Sequence, residues 1–597
     1  MKKYFLITTP LENTWRDDVP VLFLGEWCRR FSQKERWENI DAEVLPYHWD
    51  DRDRLHSDYQ YLQVFYEQLL QDLTVQLNQI HGVEHSLRYW RILIGPWLGY
   101  FIQVLFDRWT SIHDAINKYE FSGTIIQVGQ EETLVPYNMT HFMKLIVRDD
   151  WNHHIYANIL TKSTGLHCET RVAQQTNKQS RVVNNTNWSK KIKESFLAFS
   201  DKILLSLTRD TDGFFLTTYL KRIDEIKLCL RINQVPRFLG KTPTVKVPFD
   251  SSERKWKLLG ESQSEFESYI RALIPQQIPT AYLEGYKTLN EQAADMSWPK
   301  NPKVIWTSSS YNTDDIFKIY AAEKVEQGSP LVIGQHGGGI GTHLWAFYEE
   351  HQIFISDVYL SWGWTEISQP KIKPVGQLKC KYSLGVQHAE KNGIMLVTVK
   401  MPRYSYHIFS SPIASQWLAY FNDQCEFVET LIAPIRDVLT VRLKTDDYGW
   451  DPIDRWKDRF PNVEVDEGNS NIVNLIENSR LYIATYNATT FLESFTMDIP
   501  TVMYWNPNHW ELRDSAIPYF DDLKRVGILH ETPISAAQHV NTIWEDVDAW
   551  WYSRDVQIAL EIFKERYSSI SREGVVDRVK YALDEAISTS KKSEKLL

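Results

Sequence analysis

Residues 481–507, LYIATYNATTFLESFTMDIPTVMYWNP, carry the pattern that decides the fold. An apolar run, Leu481–Thr485, is followed by a polar turn, a helix-forming segment and a second apolar run, Thr501–Trp505. Short apolar runs bounded by turns are typical of buried strands in parallel sheets. A helix that begins directly after such a strand presents unpaired backbone N–H groups and a partial positive charge. The stretch therefore predicts a βαβ unit whose helix start suits a phosphate group.

The alternation of strand and helix extends upstream from this unit. Strand-like runs at Ile394–Val399, Val438–Leu443 and Val463–Val465 precede it, with helical segments between them. An earlier series includes Val304–Trp306 and Leu331–Gly334. Strict alternation of this kind favours a parallel, doubly wound sheet. We therefore predict an α/β protein with two Rossmann-like domains and a cleft between them.

The N-terminal half has a different texture. Tyr4–Thr8 is a strand-like run, whereas Val19–Phe31 and Phe214–Leu230 have apolar residues at helical spacing. We expect a large, mostly helical insert at about residues 58–300, and a domain boundary near Val386–Asn392. The predicted domains are residues 1–388, 389–560 and 561–597, of which the last comprises helices and a tail.

Composition narrows the class of protein. The 597 residues carry a net charge of -11 at pH 7, which gives no global basic field for nucleic acid. The five cysteines lack CxxC pairing and predict reduced thiols rather than a disulfide framework or a zinc site. We find no window of 18 apolar residues and no signal-peptide core. We therefore expect a soluble, cytoplasmic protein.

The helix start itself supplies candidate ligand contacts. Asn487, Thr489 and Thr490 carry polar side chains there, and the amide of Ala488 lies between them. Glu493 follows one turn later, where a carboxylate is placed to accept the hydroxyls of a ribose. A purely structural interpretation remains open, with Asn487 as a helix cap and Glu493 as a surface acid that complements the helix dipole.

The next predicted strand ends in the loop NPNHWELR, residues 506–513. Loops that follow neighbouring parallel strands lie at the same edge of a sheet and line ligand clefts. Four polar side chains of this loop are therefore predicted to share a pocket with Asn487 and Glu493. They are Asn506, His509, Glu511 and Arg513.

A glycine-rich turn, Gln335–Gly341, follows another predicted strand. Its glycines, Gly337 and Gly338 among them, allow close approach of the backbone to a ligand. The turn has neither GxGxxG spacing nor a Walker lysine, so a dinucleotide fingerprint and a P-loop are both unsupported. The usual pKa of a histidine side chain suits a general base, so His336 is a candidate catalytic residue, although a lone histidine is more often structural.

Charged residues after other strands complete the candidate set. Arg403, Arg442 and Lys444 follow the first two strands of the C-terminal series and are predicted to face a phosphate or diphosphate leaving group. Glu12 and Arg16 follow the first strand and are, with His336, candidate catalytic residues that contact the second substrate; the alternative is that they are solvated loop residues. No spacing typical of a metal site occurs, and we expect neither a metal nor a cofactor.

Several of these motifs together resemble a known family. The string FLESFTMDIPTVMYWNPNHWELRDSAIPYF (491–520), with LITTPLENTW (6–15), RILIGPWLGYF (91–101), GQHGGGIG (334–341) and PRYSY (402–406), resembles a bacterial family of transferases of surface-carbohydrate biosynthesis. The segment around Glu493 and Ile499-Pro500 is also similar to the donor-binding segment of GT-B glycosyltransferases. Asp498 stands where those enzymes usually have glycine, which affects the turn rather than the chemistry.

The resemblance implies a metal-independent GT-B glycosyltransferase with a nucleotide-sugar co-substrate. The N-terminal domain would hold the acceptor, a cell-surface glycan, a lipid-linked sugar or a protein precursor. The C-terminal domain would hold the donor, with Glu493 on its ribose; CMP-activated keto-sugars are one donor type that related transferases use. Peripheral contact with the inner membrane or the assembly machinery also follows from the resemblance. Two alternatives remain, a sugar-nucleotide epimerase and a non-catalytic scaffold of envelope assembly.

Overall fold

The computed structural model of the chain describes residues 2–173, 207–237, 239, 241–379, 393–569 and 574–594, with the side chains of the last segment described up to residue 590. Within these residues the strands form three sheets, in which the pairings with assigned registers are all parallel. Helices separate most successive strands, as expected for parallel strands, which need crossover connections.

Sheet A is built from the first five strands of the chain, in the order β3-β2-β1-β4-β5. Its central strand β1 pairs with β2 on one side and β4 on the other. This is the order of the first five strands of a Rossmann fold, with its reversal between β1 and β4. The strands are β1 (Lys3–Ile7), β2 (Val21–Phe23), β3 (Ala42–Val44), β4 (Glu120–Val128) and β5 (Cys168–Val172).

Sheet B has the simple order β10-β9-β8-β7-β6, so each strand lies beside its predecessor and the direction of winding does not reverse. The glycine-rich turn leaves its central strand, β8, at the carboxyl edge. The strands are β6 (Phe214–Leu216), β7 (Ile305–Thr307), β8 (Leu331–Gly334), β9 (Val358–Ser361) and β10 (Ile372–Pro374).

Sheet C has six strands in the order β13-β12-β11-β14-β15-β16, which is the complete Rossmann order with its reversal between β11 and β14. Strands β11, β14 and β15 are buried throughout, which explains their continuous apolar sequences. The strands are β11 (Ile394–Val397), β12 (Leu439–Arg442), β13 (Glu464–Asp466), β14 (Leu481–Ala484), β15 (Thr501–Tyr504) and β16 (Leu529–His530).

Helices cover the sheets and fill the space between them. Two of them, of 30 and 32 residues, form an antiparallel pair between β3 and β4. The α-helices are α1 (Lys34–Trp37), α2 (Arg52–His81), α3 (Leu87–Lys118), α4 (Met139–Leu145), α5 (Asp149–Ser163), α6 (Arg222–Arg231), α7 (Glu265–Gln277), α8 (Tyr286–Ala294), α9 (Ser310–Thr313), α10 (Asp315–Glu326), α11 (Phe347–Ile355), α12 (Gln416–Thr430), α13 (Ala433–Arg436), α14 (Pro452–Arg459), α15 (Ile472–Asn478), α16 (Thr489–Thr496), α17 (Ile517–Arg525), α18 (Pro533–Ile543), α19 (Val547–Trp551), α20 (Arg554–Tyr567) and α21 (Val575–Glu594).

The α/β class and the presence of two Rossmann-like sheets are confirmed, and the βαβ unit at 481–507 is β14-α16-β15. Sheet B is a third sheet that the sequence did not predict. The region at 58–300 is helical in large part but also contributes β4, β5 and β6. The predicted boundary at Val386–Asn392 lies outside the described residues, so the division at 388/389 remains a prediction.

Two helix predictions need correction: Val19–Phe31 contains a strand and a 3-10 turn at Glu26–Cys28 but no α-helix, and Phe214–Leu230 becomes helical only from Arg222. Val21–Phe23 forms β2, paired between β1 and β3, and Phe214–Leu216 forms β6, paired with β7. Both runs are three buried residues long. In such short segments, sheet pairing overrides local helical periodicity.

Helix α3 is the central element of the core, and the GPWLG motif explains how α11 reaches it. A Cβ at Gly95 would lie 2.9 Å from the His351 ring, and one at Gly99 would lie 1.8 Å from the Phe347 ring. Only glycine therefore allows α11, which follows the glycine-rich turn, to pack directly on α3. No helix in the described residues is both long and apolar enough to cross a membrane.

Candidate functional site

The candidate site lies at the strand-order reversal of sheet C. In open α/β sheets, ligands bind outside the carboxyl ends of the strands at such a reversal. Strand β14 ends at Ala484, and α16 begins five residues later with Ala488 as its N-cap residue. No side chain caps this helix start. The first amides of α16 have no intrahelical acceptors, and they add a partial positive charge at the crevice.

The glycine-rich turn of sheet B packs directly against the start of α16. Gly338 N–H donates to Thr489 Oγ1 at 3.0 Å, and Asn487 Nδ2 donates to Thr342 Oγ1 at 3.0 Å. A Cβ at Gly338 would lie 2.7 Å from the carbonyl oxygen of Ala488. The absence of a side chain at Gly338 thus brings sheets B and C into contact, and sequence reasoning had assigned this close approach to a ligand.

Lys444 interacts with two other basic side chains, those of Arg442 and Lys400, near this contact. Lys444 is half-buried after β12, and burial, followed by the charges of Arg442 and Lys400, lowers its pKa. Glu493 acts in the opposite direction on Lys444, so the two side chains interact across the crevice. In the described part of the chain Lys444 makes no ion pair within 4 Å, whereas Lys400 is paired with Asp446. A partly desolvated lysine beside a helix start attracts phosphate oxygens strongly.

His336 lies at the sheet B side of the same crevice. Its ring is 6.4 Å from that of Tyr311 and 6.0 Å from that of Tyr348, between centroids. Burial and the charge of Lys379 lower the pKa of His336 to about 4, so the imidazole is neutral at pH 7. A neutral imidazole can accept a proton or a hydrogen bond. The candidacy of His336 as a base remains a prediction, and its low pKa makes it a weaker base than an ordinary histidine.

Arg403 and Arg442 donate their hydrogen bonds to protein groups. Arg403 is 3% exposed and donates to the Trp27 carbonyl, to the Tyr448 carbonyl at 2.9 Å and to Asp149 at 2.7 Å. Arg442 pairs with Asp466 and holds the carbonyls after β13. In this structure Arg403 therefore links sheet C to the elements of sheet A. Of the three predicted basic residues, Arg403 and Arg442 are paired with carboxylates. Lys444 faces the crevice and has no carboxylate within 4 Å among the described residues.

The 506–513 loop also links parts of the molecule. Glu511 forms a two-point ion pair with Arg52 at the start of α2, at 2.6 and 2.8 Å. Arg513 donates to the His343 carbonyl at 3.0 Å and pairs with Glu349 of α11. Asn506 accepts from the Asn508 amide, and burial lowers the pKa of His509 to about 4. The loop does lie beside the glycine-rich turn, as predicted. Its Glu511 and Arg513 side chains, however, bind other protein groups there.

Glu12 and Arg16 lie in the loop after β1 of sheet A, whereas His336 follows β8 of sheet B. Arg16 pairs with Asp18, and Glu12 lies 3.6 Å from Arg36. The sequence prediction placed all three catalytic candidates in one cleft because it assumed one N-terminal sheet. Since β1 and β8 belong to separate sheets, Glu12 and His336 follow strands of different sheets.

Two histidines that sequence reasoning missed complete the site. His343 follows the glycine-rich turn and His407 follows PRYSY; they are 3% and 5% exposed. Both ring nitrogens of each side chain, and Oδ1 of Asn487, are buried and lack hydrogen-bond partners in the described structure. Both rings pack on Phe409, at 5.7 Å from His343 and 4.2 Å from His407. Each histidine lies next to a motif that carries the family resemblance, GQHGGGIG (334–341) or PRYSY (402–406), and these motifs could have indicated them.

A polar groove opens farther along the carboxyl edge of sheet B. It has a volume of about 620 Å³ and is open to solvent beyond the end of β6. Much of its lining carries hydroxyl groups, and Lys241 and Asp314 add charge. The threonines that line it are Thr140, Thr217, Thr242, Thr244 and Thr313.

Two of the solved structures that the chain resembles are distant from it. MurG of Acinetobacter baumannii has a TM-score of 0.31 and 10% identity, over 64% of this chain and 99% of its own. WaaG, a glycosyltransferase involved in lipopolysaccharide biosynthesis, has a TM-score of 0.28 and 13% identity, over 62% of this chain and 98% of its own. The fold assignment therefore rests on the sheets described above. No curated protein matches the chain significantly.

The sequence matches one family model along nearly its whole length. The match runs from residue 4 to residue 580 and so includes sheets A, B and C with the candidate site. The resemblance to a transferase family, predicted from motifs between residues 6 and 520, is therefore confirmed over nearly the whole chain. The chain belongs to the LIC12162 family of transferases.

Proposed function

We propose that this transferase is a glycosyltransferase of the GT-B type, which moves a sugar from a nucleotide-activated donor to an acceptor. The observation that carries the proposal is the uncapped start of α16 at the reversal of sheet C, with Lys444 and Glu493 beside it. A helix start and a lysine suit a diphosphate or phosphate, and a carboxylate suits the hydroxyls of a ribose. A nucleotide carries both groups, which makes it a better match than inorganic phosphate alone.

In this mechanism, the chain's own groups stabilise the departing phosphate. The amides of Thr489 and Thr490 and the ammonium group of Lys444 would bind the negative charge as the bond to the sugar breaks. His336, neutral at pH 7, is our candidate acceptor for the proton of the attacking hydroxyl. We propose that no metal is required, because fixed positive charge at the helix start serves the leaving group.

The acceptor would approach from sheet B. The threonine-lined groove lies at the same sheet edge as His336 and has room for a polar chain, which supports a glycan or a glycosylated precursor as acceptor. Cell-surface glycan or protein precursors, a CMP-activated keto-sugar donor and a peripheral position at the inner membrane complete the proposal; they come from the family resemblance.

Nucleotide binding tests the proposal directly. We expect one of CMP, UDP and GDP to raise the melting temperature, because a ligand that binds the folded state stabilises it by about 2.7 kcal/mol at a hundredfold excess over its Kd. Glu493→Ala should weaken that nucleotide about tenfold or more by calorimetry and leave the melting temperature of the free protein unchanged.

Glu477→Ala is the matched control, since Glu477 is a half-buried glutamate on the neighbouring helix α15. It should bind the nucleotide as the wild type does. Equal affinity of the wild type and Glu493→Ala would contradict the assignment of Glu493. A wild type that binds none of the nucleotides or their sugars would contradict the proposed function.

A further inference from the structure

Three loops bring unpartnered polar groups to one buried place. His343 comes from the segment after β8, His407 from the loop after β11, and Asn487 from the loop after β14. All three residues are at least nine-tenths buried. Their five side-chain atoms without partners are both ring nitrogens of each histidine and Oδ1 of Asn487. The Asn487 backbone carbonyl acts on the His343 ring as a weak hydrogen-bond acceptor and raises its pKa, although no hydrogen bond of full geometry forms. The charge of His343 in turn lowers the pKa of His407, so the three residues are neighbours.

The loop that carries His407 is fixed on several sides. Ile408 N–H donates to Gln103 of α3 at 2.7 Å, and Ser410 N–H donates to the Trp345 carbonyl at 3.2 Å. The buried Arg108 donates to the Ser405 carbonyl at 2.8 Å. These bonds come from both sides of His407 in sequence and hold the imidazole in position. Preorganisation of this kind is what a binding residue requires.

Such an arrangement is costly unless a ligand uses it. A buried donor or acceptor without a partner destabilises the folded state, and proteins satisfy nearly all such groups. A phenylalanine or another apolar residue in place of either histidine would fill a similar volume without that cost. The free hydrogen-bonding capacity of His343, His407 and Asn487 is therefore available to a polar group of a ligand.

The chemistry of the three side chains selects the kind of group. A neutral imidazole has one donor and one acceptor, and Asn487 Oδ1 accepts, since its amide nitrogen already donates to Thr342. Burial lowers the pKa of both histidines to about 3, so neither offers positive charge to an anion at pH 7. The described residues contain no group of three histidine, cysteine or acidic side chains that could hold a metal ion. A hydroxyl, which both donates and accepts, matches this set.

We propose that His343, His407 and Asn487 form a subsite for hydroxyl groups of the transferred sugar. This inference rests on the proposed function, because it places the sugar next to the nucleotide site at Thr489. It separates the roles of two neighbouring groups of residues: Lys444, Glu493 and the helix start would bind the nucleotide, whereas the histidine pair would bind the sugar and influence which sugar is accepted.

The test compares bare nucleotides with nucleotide sugars in matched variants. UDP, GDP and CMP are titrated by calorimetry beside UDP-glucose, GDP-mannose and CMP-sialic acid. In His407→Phe, the Kd of the sugar nucleotide that the wild type binds should rise at least tenfold, while the Kd of the bare nucleotide stays within twofold. His407→Gln, which retains a donor and an acceptor, should recover most of the loss.

The melting temperature provides an independent readout. Because His407→Phe removes unpartnered polar atoms from a buried site, the free variant should melt at or above the wild-type temperature. His539→Phe is the control, since His539 also has an unpartnered ring nitrogen but lies on α18, outside the site. His407→Leu repeats the titrations with a smaller side chain and is the variant used if the phenylalanine does not fold.

The outcomes separate this inference from the proposed function. If the wild type binds no nucleotide, the glycosyltransferase proposal fails and the subsite fails with it. If nucleotides bind but the phenylalanine and leucine variants weaken bare nucleotide and nucleotide sugar equally, or neither, the subsite alone is overturned. If a water molecule were the only occupant of the subsite, the variants would weaken neither ligand.

Discussion

Sheets A and C share one strand order and differ in what lies at its reversal. In sheet A, His153 from α5 fills the region between the ends of β1 and β4. Its Nε2 accepts from the Gln127 amide at 2.9 Å, and its Nδ1 lies 3.4 Å from the hydroxyls of both Thr8 and Thr9. Because Nε2 is the acceptor, Nδ1 carries the proton and donates to a threonine. Every polar atom of that ring is used.

In sheet C the corresponding crevice contains an uncapped helix start and a carboxamide oxygen without a partner. The nearby histidines, His343 and His407, have all their nitrogens free of partners in the described structure. The same topology thus gives a closed core in one sheet and a candidate site in the other. What distinguishes the two is unused hydrogen-bonding capacity, which topology does not determine.

The largest effect is expected from removal of the satisfied histidine. His153→Phe should lower the free energy of unfolding by about 3 kcal/mol, because it leaves the Gln127 amide and the threonine hydroxyls buried without a partner. Urea unfolding measures this loss. Under conditions in which His153→Phe is folded, it should bind nucleotide with the wild-type affinity. A His153→Phe protein as stable as His407→Phe would remove the distinction between the two sheets.

The pH dependence of stability sharpens the comparison at the other histidine. Burial, followed by the charge of His343, lowers the pKa of His407 to about 3, below its unfolded value of about 6.5. The unfolded chain therefore binds the proton more readily, and stability falls as pH decreases from about 6.5 towards 3. Between pH 7 and pH 5 His407 should account for a loss on the order of 2 kcal/mol.

Urea unfolding of wild type and His407→Phe at the two pH values measures that difference. The variant should lose about 2 kcal/mol less than the wild type on acidification. Identical losses in both proteins would mean that His407 already binds a proton, or exchanges with solvent, at pH 5.

A smaller effect is expected at the positive side of the sheet C crevice. Lys444→Gln should weaken the bound nucleotide about tenfold, roughly 1.4 kcal/mol, because it removes one charge-assisted contact to phosphate. Lys371→Gln is the control: burial also lowers the pKa of Lys371, but this lysine precedes β10 at the opposite edge of sheet B. Calorimetry at two salt concentrations should show a weaker salt dependence for Lys444→Gln alone. Equal affinities for the three proteins would exclude Lys444 from the site.

The sequence predicted β11, β14 and β15 of sheet C closely because these strands are buried throughout and have continuous apolar sequences, whereas the two-residue strand β16 was missed. Leu481–Ala484 and Thr501–Tyr504 are strands within one residue of their predicted ends, and α16 begins at Thr489 as expected. Sheet A was predicted poorly. Strands of three residues such as Val21–Phe23 are too short for periodicity to identify, and their pairing partners lie far away in sequence.

The candidate site was predicted only in part for a related reason. Local patterns located the helix start, Glu493 and Lys444, because these residues follow recognisable strands. Whether an arginine faces a ligand or a carbonyl depends on distant partners: Arg403 meets Asp149 and Trp27, more than 250 and 370 positions away. His407 escaped notice because its setting is formed by α3, α11 and the loop after β11 together, and no segment shows this by itself.

The contact between Gly338 and Thr489 has a consequence for the proposed phosphate site. The Gly338 N–H uses one lone pair of the Thr489 hydroxyl and leaves the hydroxyl proton able to donate, so the turn of sheet B orients this hydroxyl at the helix start of sheet C. If the donor phosphate binds at that helix start, as we propose, the orientation of Thr489 depends on continued contact between sheets B and C. A motion that separated the two sheets would then weaken the phosphate site.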